Sequence, residues 1–284
     1  MSKLRTVLEL LNLGSGYLEQ QGCPTPRLDA EVLLCHVLNM DRVQLYVNFD
    51  RPLEVSEIDQ YRYLIGWRGR RVPVSYLLGK REFYSKEFKV TRDVLIPRPE
   101  TEILVEQAIK LVQPFIMPRV IDLGTGSGVI AVSLALQISE IQVLAADISS
   151  QALAVAQENA TLLGVEEKIT FLQSDLFQKI PNDKYHLICS NPPYIPTKDL
   201  STLEPEVRLE PKIALDGGID GLDFYRRIIA QAPEYLISGG HLVLEIGWDQ
   251  GAKVIELGRT AGFVNCQIIP DYAGKDRVVT LTWQ

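Results

Sequence analysis

From residue 97 onward the sequence alternates between short apolar runs of strand length and amphipathic stretches of helical period. The apolar runs are "RVIDLG", "QVLAAD", "ITFLQ", "YHLICS" and "HLVLEIG". Helices are predicted over 100–112, 128–137, 149–163, 223–236 and 250–261, with one long loop after "YHLICS". Strands joined by crossover helices lie parallel in one sheet, with helices on both faces. The pattern therefore predicts an α/β fold with a doubly wound, mostly parallel sheet. The last two runs, near "FVNCQII" and "RVVTLTW", have only a short connection between them and should form an antiparallel pair.

The chain before this region has a different period. Leu4, Val7, Leu8, Leu10 and Leu11 form an apolar stripe. Thr25 and Pro26 suit the N-cap and first position of a helix through Leu38, and Ser56 with Asp59 opens another through Arg70. A small helical bundle is expected over 1–73. The segment "VSYLLGKREFYSKEFKV" alternates with period two and is broken at Gly79-Lys80 and Ser85-Lys86, so 74–94 reads as a β-hairpin connector. Residues 95–284 then form the catalytic domain.

Charge and cysteine usage narrow the class. A formal net charge of −7 argues against a protein that coats nucleic acid by charge alone. Residues 61–92 nevertheless carry nine Lys/Arg (Arg62, Arg68, Arg70, Arg71, Lys80, Arg81, Lys86, Lys89, Arg92) against Glu82 and Glu87, which leaves a local basic surface or a solvated helix face as alternatives. Cys23, Cys35, Cys189 and Cys266 form no C-x-x-C pair, and His36, His186 and His241 have no partners at ligand spacing, so no metal site is expected. No signal-type segment and no run of about 18 apolar residues is present, so a reducing, cytoplasmic location and no membrane contact are expected.

The chemistry concentrates at strand ends. "DLGTGSG", 122–128, ends the first strand of the sheet and opens a helix, where glycines let backbone N–H groups approach a ligand closely. Asp147 ends the next strand, spaced to take ribose hydroxyls. Alone, this pattern fits a nicotinamide enzyme equally well. The third strand is followed by Ser174-Asp175-Leu176, an acid and an apolar residue suited to the amino edge and the face of an adenine. The fourth runs into "ICSNPPYIP", 188–196, where two prolines stop the strand at Ser190. Beyond Ser190 the chain is a stiff loop with a side-chain amide on Asn191, a carbonyl on Pro192 and an aromatic face on Tyr194. Such a loop can accept hydrogen bonds from an NH2 group and cover a planar target.

Asp122-Leu-Gly-Thr-Gly-Ser-Gly128 together with Asn191-Pro-Pro-Tyr194 resembles the S-adenosylmethionine-dependent methyltransferases that modify planar NH2 groups. With "LIPRPETE" (95–102) and "ALDGGIDGL" (214–222), the chain is similar, over essentially its whole length, to the peptide-chain release-factor glutamine N5-methyltransferases. The resemblance implies a seven-stranded class I methyltransferase sheet and an N-terminal helical domain that grips the protein substrate. It implies S-adenosylmethionine as cofactor, with Gly124, Thr125, Gly126, Ser127, Gly128 and Asn191 lining it, Asp147 on its ribose, and Asp175 and Leu176 bounding its adenine. Position 176 is often aromatic in the family, so leucine here exchanges stacking for plain apolar contact. Asn191 and the Pro192 carbonyl are implied to accept the two N–H groups of the substrate carboxamide, beside Pro193, with Tyr194 packed on it and Phe83 as the opposite wall, ordinary hairpin packing being the alternative for Phe83. Arg98 and Glu100 are implied to brace the pocket; independently of the resemblance, Glu245, Asp276 and Arg277 read as candidate supports near the sheet's active end, structural rather than catalytic. The implied partners are release factors, met by a monomer without direct nucleic-acid binding. An adenine-N6 nucleic-acid methyltransferase using the same loop and a non-catalytic nucleotide-binding module are the alternatives.

Overall fold

A computed structural model describes residues 5–284, so the predicted stripe's Leu4 and the chain start lie outside the described residues. The chain divides into two compact units. The first takes the described residues up to Gly79 together with a short return, Glu204–Leu209. The second takes Lys80–Leu203 and Glu210–Gln284.

The first unit is helical, with α1 (Val7–Gln20), α2 (Pro26–Leu38), α3 (Arg42–Val47), α4 (Val55–Gly69) and α5 (Val74–Leu78). The α1 stripe runs Val7, Leu10, Leu11 and Leu18, all buried, whereas Leu8 falls off that face and is exposed. A reciprocal Thr6–Glu9 capping box starts this helix. Thr25 caps α2 by position, but its hydroxyl donates to Asp29 Oδ1 at 2.8 Å instead of accepting from the backbone. Helix α4 begins earlier than the sequence predicts, because Glu57 Oε2 accepts from the Glu54 N–H at 2.9 Å. Residues 74–78, a strand by their alternating pattern, instead form α5, which stops where Gly79 enters the left-handed region at φ +70°.

Strands β1 (Lys80–Phe83) and β2 (Lys86–Lys89) make the predicted hairpin. Its two-residue turn, Tyr84 at φ +50° and Ser85 at φ +58°, is held by Glu102 Oε1, which accepts from the Tyr84 N–H at 2.8 Å. A separate seven-stranded sheet contains β3 (Arg119–Leu123), β4 (Gln142–Asp147), β5 (Ile169–Gln173), β6 (Tyr185–Ser190), β7 (Leu236–Glu245), β8 (Val264–Pro270) and β9 (Asp276–Thr282). Its spatial order is β5-β4-β3-β6-β7-β9-β8. The first five strands of that order are parallel, and β9 pairs antiparallel with both β7 and β8.

Strand alternation sorts the core into two layers. Val120, Leu187, Cys189 and Val243 face one cluster with residues of α6 (Thr101–Val112) and α7 (Val129–Gln137). Ile121, Ile188, Leu242 and Leu244 face another with residues of α9 (Asp223–Gln231) and α10 (Gly251–Thr260). Both faces being covered, the central strands read as unbroken apolar runs. Helix α8 (Ser150–Leu162) follows β4. Helix α9 ends before the predicted 236, because Pro233 lies in a tight 3-10 turn and can donate no N–H to a continuing helix.

Candidate active site

The chain runs outward from β3 through β4 to β5, then returns to the other side of β3 as β6. The strand order therefore reverses between β3 and β6, which stay parallel, and their register aligns Leu123 with Ser190. In open α/β sheets a crevice forms where the strand order reverses, outside the carboxyl ends. Here that position holds a cavity of about 210 Å³, and both the glycine turn and the Asn-Pro-Pro loop reach it.

The glycine turn is built by backbone and one buried acid. The N–H groups of Gly124 and Thr125 both donate to the Ala146 carbonyl, at 2.8 and 3.0 Å. Asp122, fully buried, accepts from the Thr125 hydroxyl at 2.7 Å and the Ala131 N–H at 3.2 Å, tying the turn to the first helical turn of α7. Burial pushes its carboxyl up to about 7. Gly124 and Gly126 lie at φ +69° and +57°, and a Cβ added at Gly124 would meet no atom within 4 Å. This is a cradle with room for a ligand against bare backbone.

Around it, Asp147 Oδ2 accepts from the Gly126 N–H and Oδ1 from the Ser149 N–H, both at 2.9 Å. Each carboxylate oxygen keeps a lone pair, enough for a vicinal diol. Burial raises this carboxyl, and the backbone donors oppose it. Asp175 also borders the cavity, its Oδ1 paired with Arg227 at 2.7 Å, while Leu176 at φ +49° is buried there. A diol acceptor, an apolar patch beside an acid, and a glycine cradle fit the ribose, adenine and amino-acid parts of S-adenosylmethionine.

The Asn-Pro-Pro loop is fixed from three directions. Asn191 Nδ2 donates to Thr101 Oγ1 at 3.3 Å, and the Thr101 hydroxyl donates to Glu245 Oε2 at 2.7 Å. Among the described residues, Asn191 Oδ1 has no protein donor. The "ALDGGIDGL" segment lies directly beneath: Ile195 N–H donates to Leu215 O, and Gly217 N–H to Ile195 O. A Cβ at Gly217 would stand 2.8 Å from the Tyr194 backbone, and one at Gly221 would stand 2.3 Å from the Tyr194 oxygen. Gln250 Nε2 completes the clamp by donating to the Tyr194 carbonyl at 3.0 Å. Arg98 also lines the cavity and is held by the buried Glu210 at 2.5 Å, whose other oxygen accepts from the Ile96 N–H.

The structure brings Gly124, Thr125, Gly126, Ser127, Asp147, Asp175, Leu176, Asn191, Pro192, Pro193 and Arg98 to one cavity. Four expected residues stand outside its lining. Gly128 is a packing residue, since its Cβ would meet the Ala156 Cβ at 3.0 Å. Phe83 is 1 % exposed and packs edge-on to Phe88 in the core, which corrects its expected place as a pocket wall. The Tyr194 ring packs against the core layer of α9 and α10, its phenol pushed up to about 12 by burial and the Glu245 carboxylate. Glu100 is the N-cap residue of α6.

Sequence reasoning missed Thr101, Glu210 and Arg227, and named Glu245 only as a support. A threonine at a helix start and an acid inside a 3-10 loop carry no pattern of their own. The signal for Glu245 was its place at a strand end, as with Asp147. Five of the nine basic side chains of 61–92 pair with acids of their own unit. In the first unit, Arg68 and Arg71 bind Glu206 and Arg62 pairs with Asp59; in the second, Lys80 and Lys89 pair with Glu87 and Glu158. Among the described residues no group of three or more His, Cys, Asp or Glu could hold a metal, and no helix is long and apolar enough to cross a membrane.

Residues 9–79 match the family described as the PrmC N-terminal domain, and 100–204 match the methyltransferase small domain. A release factor glutamine methyltransferase of Geobacter sulfurreducens is 46 % identical over 275 residues, covering 96 % of this chain and 95 % of that protein. One of Moorella thermoacetica is 45 % identical, covering 90 % and 91 %. The hMettl16 catalytic domain, solved with MAT2A 3′UTR hairpin 1, superposes with a TM-score of 0.59 at 16 % identity, over 72 % of this chain and 77 % of that one. That likeness concerns the fold alone, a class I methyltransferase sheet. Near-full-length identity at this level, joined to an N-terminal helical domain of the matching type, places this chain in the release factor glutamine methyltransferase family.

Proposed function

We propose that this protein methylates the side-chain amide nitrogen, N5, of the glutamine in the Gly-Gly-Gln loop of peptide-chain release factors, in the cytoplasm and in support of translation termination. S-adenosylmethionine is its cofactor, and when bound it supplies a methyl group activated by a sulfonium. The observation that carries the reading is Asn191, which lines one cavity with Pro192 and the glycine turn and whose Nδ2 is taken by Thr101, leaving Oδ1 with no protein donor among the described residues.

An amide nitrogen is a poor nucleophile because its lone pair is delocalised into the carbonyl. Asn191 Oδ1 and the Pro192 carbonyl are acceptors for its two N–H groups, which raises electron density at nitrogen and fixes its direction. As the nitrogen becomes cationic its N–H groups become stronger donors, so both acceptors hold the transition state more tightly than the ground state. Such stabilisation needs acceptors already in place, and the clamp of Gly217, Gly221 and Gln250 on the loop supplies that rigidity. No strong base is needed, because the proton is lost only after nitrogen is alkylated. Asp147 on a ribose, Asp175 and Leu176 on an adenine, and Arg98 bracing the loop entrance complete the reading. Pairing of most basic side chains in 61–92 with acids of their own unit argues against a nucleic-acid groove.

Labelled methyl transfer tests it, offered in parallel to purified release factor, its Gln→Ala loop variant and adenine-containing DNA. Label on the wild-type release factor alone is expected. Label on DNA, or equal label on the Gln→Ala variant, would overturn the reading. Asn191→Ala should leave cofactor binding largely intact in calorimetry and lose at least about a hundredfold in turnover, the scale of one oxyanion-hole-type contact.

A further inference from the structure

Asn191 can serve as an acceptor only if its carboxamide oxygen, not its NH2, faces the cavity. The two orientations have the same shape, so packing alone does not choose between them. The choice falls to whatever hydrogen-bonds the other end of the amide. Here that is Thr101, the first residue of α6, and behind it Glu245, the last residue of β7. Helix α6 packs on β6 and β7, and Ser190 pairs with Leu244, so the three side chains come from three elements that meet at one point. Thr101 is 2 % exposed and Glu245 is 1 % exposed.

We propose that Thr101 and Glu245 are positioning residues, a hydrogen-bond relay that sets the polarity of the Asn191 carboxamide and thereby makes it an acceptor. The logic is one of proton counting. A threonine hydroxyl has one proton, and an ionised carboxylate can only accept. With Glu245 ionised, the Thr101 proton goes to Glu245 Oε2, so Thr101 Oγ1 can only accept from Asn191, which turns Nδ2 inward and Oδ1 outward. With Glu245 protonated, the carboxyl donates to Thr101, whose own proton is then free to turn toward Asn191. Thr101 can then either donate to Asn191 or accept from it, so the polarity of the carboxamide is no longer fixed, and the turned-over form presents NH2 to a substrate that also presents NH2.

The groups around Glu245 allow both states near neutrality. Burial raises its carboxyl to about 7, with Glu100 adding to it, while the Thr101 hydroxyl and the Arg277 and Arg98 guanidinium groups oppose the rise. The remaining neighbours are phenols: Tyr225, whose hydroxyl donates to the Glu245 backbone carbonyl at 3.0 Å, and Tyr194. The relay fixes the amide while Glu245 is ionised and loses that hold as the pH falls through about 7. Acidification would thus lower turnover although the group that titrates, Glu245, does not touch the substrate.

The test is chosen so that the amide is read directly as well as through activity, because only the kinetic arm rests on the proposed methylation. In the full-length protein, the Asn191 side-chain NH2 signal in a nitrogen-15 NMR spectrum is assigned by its loss in Asn191→Ala. It should exchange slowly with solvent above pH 7.5, and its shift should titrate between pH 6 and 8 (roughly the window around the Glu245 value). Glu245→Gln should abolish that titration. Thr101→Val, of nearly the same shape, should abolish the slow exchange, and Thr101→Ser should restore it. In turnover of release factor, Thr101→Val should lose about tenfold to a hundredfold in kcat, with KM and calorimetric cofactor affinity within about twofold, and Thr101→Ser should recover most of it. An Asn191 signal indifferent to pH and to Thr101→Val overturns the relay. The expected NMR behaviour with no methyl reaching release factor would instead overturn the proposed activity and leave the relay standing.

Discussion

Gly124 and Gly128 lie four residues apart in one turn and share a left-handed backbone, at φ +69° and +82°, yet they answer to different demands. A Cβ at the first, a residue of the cavity lining, would meet no atom within 4 Å, and a Cβ at the second strikes Ala156. Gly124→Ala should therefore cost only the left-handed strain, about 1 kcal/mol, and abolish most cofactor binding. Gly128→Ala adds overpacking and should cost about 3 kcal/mol in denaturant unfolding. Equal effects of the two on stability would refute the distinction. Asp122 makes a pH prediction of definite sign. Its folded value, about 7, lies above its ordinary value of 3.8, so its contribution to stability is present below about pH 4 and is lost as the pH rises through 7. Asp122→Asn keeps an acceptor for Thr125 and Ala131 and should be more stable relative to the parent at pH 8 than at pH 4, as read by melting temperatures at the two values.

At the scale of elements, the site is two loops held by their neighbours. The glycine turn is tied to the hairpin by the buried Asn159 of α8, whose Nδ2 donates to the carbonyls of Ser127 and Lys89 while its Oδ1 accepts from the Lys89 N–H. The Asn-Pro-Pro loop rests on a segment some twenty-five residues further along, and only glycine permits the approach. Gly217→Ala should push the backbone at 193–194 by enough to displace the acceptors. We expect at least about a tenfold loss of kcat with cofactor affinity retained, since a small misplacement near the reacting atoms is costly. Calorimetry beside single-turnover kinetics would detect the opposite outcome, loss of both together. Sequence period served well for these elements where both strand faces are buried. It misread 74–78, where a five-residue run cannot distinguish a helical turn from a strand and Gly79 sets the end.

Across the molecule, the long loop after β6 contributes Glu204–Leu209 to the helical unit before returning to the methyltransferase unit. Within the helical unit, Glu206 receives Arg68 at 2.8 Å and Arg71 at 2.6 Å, and Arg68 also binds Asp29 at 2.7 Å with only 4 % of its side chain exposed. Burial would raise the Glu206 carboxyl, but the two arginines outweigh it and hold it below its ordinary range. Glu206→Ala leaves a buried guanidinium short of a partner and should destabilise the helical unit by about 3 kcal/mol. Hydrogen exchange should then rise across α2 and α4, and unchanged protection there would refute it. The class of fold, the strand ends that bear chemistry and the glycine and Asn-Pro-Pro motifs were legible in the primary structure, because period, prolines and glycines act locally and are visible as pattern. Folding in three dimensions settled which glycine lines the cavity, that Phe83 is core, that Glu210 holds Arg98, and that Thr101 and Glu245 stand behind Asn191. Those are meetings of residues up to 144 positions apart, and burial and hydrogen-bond direction exist only once the chain has brought them into contact.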